Sequence, residues 1–241
     1  MGDTLETYRK SWQAKPLLQD IYDDFYERII QACVPGRTVE IGGGIGMLKR
    51  RLPDLITTDI QFAPWLDCVA DAQALPFAES TISNIAMVDV LHHVEFPMVF
   101  FEEAARVLRP GGRIIMVEPA ITFGSSLFYR LLHHEPVIMS ADPLIKGNPD
   151  PKRDPYHSNQ AIPTLIASKH RERFAEFAAP LRVRDVRWFG FAVYPLSGGF
   201  RSWSLMPRSL ARHLLDVERR LESTLGRLIG FRMLLVIEHS S

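Results

Sequence analysis

Leu17, Leu18, Ile21, Tyr22, Phe25, Ile29 and Ile30 fall at helical spacing, singly or in adjacent pairs one turn apart, so residues 17–33 read as a helix with one apolar face. Tyr8, Trp12 and Lys15 precede it. Residues 1–35 are therefore expected as flanking helices, either folding over a pocket as a lid or covering one side of a sheet. From residue 37 the period changes. Short apolar runs at 37–41, 55–59, 68–71, 85–88 and 113–118 predict strands, with helical stretches at 45–51 and 97–108 among them. The run at 113–118 is almost wholly apolar, as in a strand covered by helices on both faces. The helix before it stops at Arg109-Pro110-Gly111-Gly112, where proline and glycine prevent continuation. Strands alternating with helices predict a mostly parallel sheet with right-handed crossovers.

After Pro119 the regularity fails. Residues 125–132 read as a helix, but 135–163 are rich in Pro, Asp, Asn and His, and a long irregular stretch in a compact domain is usually functional. A helix near 169–177, a strand at 181–188 and a Gly/Pro/Ser-rich connection at 194–200 follow. Leu210, Leu214, Val217, Leu221, Leu225 and Leu228 then line one face of a helix, and 231–238 form a last strand. The whole is an α/β chain of seven strands, expected as one domain over 1–241. Segments 120–165 and 190–206 are insertions that would build a substrate pocket.

The chemistry concentrates in Val39-Glu40-Ile41-Gly42-Gly43-Gly44-Ile45-Gly46, a strand that ends in a glycine turn. Without a Cβ the backbone can turn sharply and lie directly against a ligand. A dinucleotide fold wants G-x-G-x-x-G there, but its third position is Met47, a bulky residue. In an open α/β sheet ligands bind beyond the carboxyl ends of the strands, so acids that end strands matter. Asp59 ends the second strand and can accept hydrogen bonds from both hydroxyls of a ribose. Asp71, Asp89 and Glu118 end the third, fourth and fifth.

The G-x-G-x-G turn with Glu40 two residues before it resembles motif I of the class I S-adenosylmethionine (SAM) dependent methyltransferases. Asp71-Ala72-Gln73-Ala74-Leu75-Pro76-Phe77 is similar to that family's D-A-x-x-L-P-F signature, and Leu108-Arg109-Pro110-Gly111-Gly112 to its L-x-P-G-G turn. Asp89 and Leu91-His92-His93 stand at its motif IV region, and with Asp59 at the end of the second strand five elements follow in the family's order between residues 39 and 118. The resemblance implies a Rossmann-like, doubly wound seven-stranded sheet, SAM as cofactor and S-adenosylhomocysteine as product. It places Gly42, Gly43, Gly44 and Gly46 against the methionine portion, with Glu40 beneath it. Asp59 and Ile60 would hold the ribose, Asp71 and Ala72 the adenine, and Asp89, Tyr8 and Lys15 complete the cofactor set. Glu stands at 40 where many members carry Asp; the charge is kept.

Methyl transfer to oxygen or nitrogen benefits from a base near neutral pKa. His93, then His92, are the candidates, with Glu118 a third; the bland reading has one histidine capping the strand and the other packing. The acceptor would meet Tyr129, His133, Asn159, Phe200, Arg201 and Trp203, a mixture suited to a partly apolar molecule with a polar or anionic group. His133-His134-Glu135, with Asp142 and His157, lacks the i, i+4 geometry of a helical metal pair, and no metal is expected.

Composition narrows the partners. The 28 basic and 28 acidic side chains cancel, so no overall field draws the chain to nucleic acid. No N/D-P-P-Y-type tetrad follows the fourth strand. Cys33 and Cys68 read as reduced thiols, and Met1-Gly2-Asp3-Thr4 has no signal-peptide character, so a cytoplasmic protein without stable membrane insertion is expected. Arg208, Arg212, Arg219, Arg220 and Arg227 flank the apolar stripe of the 208–227 helix. A membrane-surface helix would carry such a pattern, but Asp216, Glu218 and Glu222 interrupt it, and a sheet-covering helix with a solvated face is preferred. The expected activity is methylation of a small-molecule or lipid- or sugar-linked acceptor. A non-catalytic SAM-binding or scaffold protein is the alternative, and an NAD-dependent oxidoreductase is disfavoured by Met47. The oligomeric state is left open.

Overall fold

The computed structural model describes residues 2–132 and 135–240. Strands β1 (Thr38–Ile41), β2 (Ile56–Asp59), β3 (Cys68–Val69), β4 (Ile82–Val88), β5 (Leu108–Pro119), β6 (Leu181–Phe189) and β7 (Arg232–His239) form one sheet in the order β3-β2-β1-β4-β5-β7-β6. The first five run parallel, and β7 lies antiparallel between β5 and β6. This is the expected doubly wound sheet. Its order reverses between β1 and β4, where the strands' carboxyl ends splay and leave a crevice.

Alternation along the central strands feeds two cores. Ile114 and Met116 of β5, with Met233, Leu235 and Ile237 of β7, pack on one side with Phe100, Phe101 and Phe174. Ile115, Val117, Leu234 and Val236 pack on the other with Leu18, Phe25 and Ile29. The first core is closed by helices α3 (Pro97–Val107), α5 (Ile162–Ala167) and α6 (Arg171–Phe177). The second is closed by α1 (Gly2–Ala14), α2 (Pro16–Ala32) and α8 (Arg208–Ile229).

Three local expectations are corrected. The helix expected at 45–51 is a single 3-10 turn, Leu48–Arg50. Gly42, Gly44 and Gly46 hold positive φ up to that point, and Pro53 follows too soon for more turns. Arg109–Gly112 does end α3, but as a bulge inside β5: the register passes from Ile82 opposite Leu108 to Asn84 opposite Arg113. The connection at 194–200 contains a short helix, α7 (Val193–Ser197).

The fourth correction concerns α8. It does cover the sheet, but with Ala211, Gly226 and half-buried Leu214 and Leu215 rather than with the whole leucine line. A Cβ on Gly226 would lie 2.1 Å from the Trp188 carbonyl oxygen, so helix and β6 approach more closely than any larger residue permits. Buried Glu218 accepts the backbone N–H groups of Phe191, Ala192 and Val193. Arg28 of α2, over the ring of Phe189, grips Glu222 and Asp24. These contacts fix the helix's rotation and turn Leu210, Val217, Leu221 and Leu228 outward, 39–52% exposed.

Candidate active site

The crevice is built first by the turn after β1. Gly42 and Gly44 take φ of +66° and +48°. A Cβ on Gly42 would lie 2.3 Å from Cγ2 of Val90, whereas one on Gly44 would meet only the Gly42 carbonyl oxygen, at 3.8 Å. The turn is held by hydrogen bonds from Gly43 N to the Thr58 carbonyl (2.7 Å), from Gly44 N to Oδ2 of Asp59 (2.9 Å) and from Trp65 Nε1 to the Gly44 carbonyl (2.9 Å). Gly42, Gly43 and Gly44 thus form a bare backbone wall on a cavity of about 560 Å³.

Beneath that wall lies Glu40. It is 4% exposed, lines the cavity, and its Oε2 has no hydrogen-bond partner among the described residues. Burial first, and the neighbouring Asp59 second, push its carboxyl up to about 8. Asp59 also faces the cavity, and burial raises its pKa against the opposing pull of backbone N–H groups from Gln61, Gly44 and Ile60. A carboxylate with one oxygen orphaned beside a ligand-sized space is a binding site for a cation or a strong donor.

The other end of the cavity is organised by the ends of β4 and β5. Asp89 takes φ +58° and pairs through Oδ1 with Nη2 of Arg232 (2.5 Å), an arginine only 1% exposed. The guanidinium lies over the rings of Tyr194 and Phe25. His92 is buried, and its Nδ1 lies 2.6 Å from Oε2 of Glu118. Oε1 of that glutamate accepts the N–H groups of Val90 (2.9 Å) and Leu91 (2.7 Å). Burial works against the Glu118 charge, but His92 and these N–H groups outweigh it and hold the carboxyl below its usual range. Ionised Glu118 therefore receives the Nδ1 proton and leaves the His92 Nε2 lone pair free. Burial opposes the charged form of His92, yet Glu118 prevails and raises its pKa. His93 stacks beside it with ring centroids 4.2 Å apart, its Nδ1 is unpartnered among the described residues, and burial followed by His92 lowers its pKa. Nε2 of His92 stands 3.7 Å from Oε2 of Glu135, which also receives Ser158 Oγ and Gln160 Nε2. Donor atoms of His92, His93 and Glu135 fall within 4.8 Å of one another, a set able to pass protons or hold a cation.

Residues 40–116, from Glu40 of β1 to Met116 of β5, match the family described as methyltransferase domain. Residues 40–116 thus resemble a methyltransferase domain, and the sheet has the class I strand order. Demethylmenaquinone methyltransferase of Renibacterium salmoninarum is 29% identical over 67% of this chain and 61% of its own length. An uncharacterised protein of a Streptomyces fradiae transposon is 33% identical over 35% of this chain and 23% of its own. The chain thus spans less than two thirds of either curated relative. A SAM-dependent methyltransferase from Thermotoga maritima shares the fold, with a TM-score of 0.57 at 12% identity over 100% of this chain and 97% of the other.

Around this crevice the sequence-derived residues divide. Glu40, Gly42, Gly43, Gly44, Asp59, Ile60, Asp89, Tyr8, His92, His93, Tyr129, Phe200, Arg201 and Trp203 all line the cavity. The remaining candidates among the described residues do not. Gly46 is set behind the turn, where a Cβ would meet Trp65 at 2.8 Å. Asp71 accepts Gln73 N in its own turn, and Ala72 is in the core. Asn159 receives Ile138 N and Ala161 N on its side chain and donates its own N–H to the His92 carbonyl, so it ties the irregular segment to the site. Lys15 is a tether: its ammonium reaches the carbonyls of Ser197, Gly199, Arg201 and Trp203 at 2.5–2.9 Å. His133 lies outside the described residues.

Sequence reasoning missed Arg232, Tyr22, Tyr194, Glu135, Tyr156 and Gln160, all on the cavity wall. Only Arg232 carried a signal, as a lone charge entering the apolar run Met233–Ile237.

Proposed function

We propose that this chain transfers a methyl group from SAM to a small-molecule or lipid- or sugar-linked acceptor. The orphaned Glu40 carboxylate beneath the glycine wall carries this reading. A methionine ammonium supplies the cation that Oε2 lacks, and the bare backbone of Gly42–Gly44 admits the chain that bears it. Asp59, whose carboxylate fixes the turn, has lone pairs left for ribose hydroxyls. Bound there, SAM would supply an electrophilic methyl on sulfur. Everything else falls to the protein: alignment, exclusion of water and removal of a proton.

His92 is the base in this scheme, reversing the preference for His93. Its tautomer is set by Glu118, and its free Nε2 can take a proton from an acceptor hydroxyl or amine, with Glu135 opposite to stabilise the imidazolium. Tyr8 of α1 and Phe200, rings 5.0 Å apart, close the cavity from two ends of the chain, so residues 1–35 act as the lid. Residues 120–165 and 190–206 supply the acceptor walls of a single domain in a cytoplasmic enzyme. A relative named for demethylmenaquinone supports an acceptor that is not a macromolecule. Titration calorimetry with SAM and with NAD tests the cofactor: SAM should bind and NAD should not, and the reverse result overturns the reading. Transfer of labelled methyl into a small-molecule extract separates an enzyme from a SAM-binding scaffold.

A further inference from the structure

Leu210, Leu214, Val217, Leu221, Leu225 and Leu228 form one apolar line along a helix roughly 33 Å long. Among the described residues the outward members, Leu210, Val217, Leu221 and Leu228, stay 39–52% exposed. Other exposed apolar side chains stand near both ends of the helix. Leu205, just before α8, is 71% exposed beside half-exposed Trp203. At the other end α4 (Phe123–Leu132) packs on α8, where a Cβ on Gly124 would touch Ile229, and shows Phe123 and Leu127 at 84% and 65% exposure. A surface of this kind needs an occupant.

Charge selects which one. On the helix circumference Ala211, Glu218 and Gly226 face the protein, and Arg220, Arg227 and His213 fall on the opposite side of the apolar line. Among the described residues neither Arg220 nor Arg227 has a carboxylate partner. The acids that weakened a membrane reading of the sequence are mostly spent inward: Glu218 on backbone N–H groups and Glu222 on Arg28. Asp216 is left on the outer face, near Arg219. A second copy would bring the same cationic flank, with Asp216 as its one acid against the two arginines and His213, whereas anionic lipid headgroups complement apolar line and arginines together.

We propose that α8 and α4 dock this protein on an anionic lipid surface. The same elements that meet the lipid also wall the cavity, through Phe128 and Tyr129 of α4 and Trp203 before α8. An acceptor with a lipid tail would therefore enter from the surface on which the protein rests. This last step rests on the methyl-transfer reading; the docking does not.

Co-sedimentation of the full chain with phosphatidylcholine vesicles, with and without phosphatidylglycerol, tests the docking, with SAM affinity measured on every sample. The protein should partition onto the anionic vesicles and stay off the neutral ones. The double variant Arg220→Ala/Arg227→Ala should lose about thirtyfold in partitioning, and Leu221→Asp about tenfold or more, both with SAM affinity unchanged. Equal partitioning of wild type and variants overturns the proposal, as does absence from anionic vesicles. A stable dimer that Leu221→Asp dissociates assigns the surface to a second copy and also overturns it. Vesicle binding by a protein that fails to bind SAM upholds docking and removes methyl transfer from it.

Discussion

His92 Nδ1 lies 2.6 Å from Glu118 Oε2, with both side chains withdrawn from solvent. Glu118 in turn is held by the N–H groups of the turn that carries His92, so the carboxylate orients both the imidazole and its backbone. His92→Asn should lower kcat by roughly 10²–10⁴-fold with SAM affinity intact. Glu118→Gln should lower kcat less and move the acidic limb of the pH–rate profile downward, because the raised pKa of His92 depends chiefly on that charge. A profile that does not move separates the pair from proton transfer.

Glu40 makes stability depend on pH in an unusual direction. Its folded pKa of about 8 stands above the ordinary 4.5, so between those values the folded state binds the extra proton. The favourable contribution is complete below about pH 4.5 and is lost as pH rises through 8, a change on the order of 5 kcal/mol. Glu40→Gln should flatten this loss in denaturant titrations across that range. In the wild type, SAM binding at neutral pH should release roughly one proton, read as a dependence of calorimetric heat on buffer ionisation enthalpy; the variant should release none and bind more weakly.

Gly42 is constrained twice, by φ of +66° and by Val90 at 2.3 Å from any Cβ. Gly42→Ala should cost about 2–4 kcal/mol of stability and at least tenfold in SAM affinity. Adding Val90→Ala should return part of the stability but not the part owed to φ. A double-mutant cycle with no coupling would show that the two residues do not meet.

The Lys15 ammonium gathers carbonyls from 197, 199, 201 and 203. Lys15→Met should cost about 1–3 kcal/mol, speed proteolysis between residues 197 and 203, and raise the acceptor KM more than it lowers kcat. A change confined to SAM affinity would return Lys15 to the cofactor.

His92, His93 and Glu135 are close enough to share a cation, yet Oε2 of Glu135, the oxygen facing His92 Nε2, already accepts Ser158 Oγ and Gln160 Nε2. Activity should survive prolonged dialysis against a strong chelator. Loss restored by one divalent metal would place an ion among these three side chains.

What the sequence disclosed was whatever the backbone dictates locally. The glycine turn, Asp59 and Asp89 were legible because a strand end in a doubly wound sheet has only one place to point. Lys15 was misassigned because its partners lie more than 180 residues away, and no periodicity reveals four carbonyls converging on one ammonium. Glu135, Tyr156 and Gln160 were hidden by a segment without a repeating pattern, where register cannot be counted. The leucines of α8 were read correctly as a stripe, but its direction was set by Gly226 and Glu218, residues that look incidental in the sequence.

Arg232 gives the site a timetable. The glycine turn, Glu40, Asp59 and the His92–Glu118 pair are all synthesised by residue 118, yet the partner that satisfies Asp89 emerges more than a hundred residues later. A chain made only as far as β5 already holds the glycine turn and the strand-end acids, but not the guanidinium that pairs with Asp89. A chain stalled before β7 would thus leave Asp89 without its guanidinium, an unpaired acid facing the crevice.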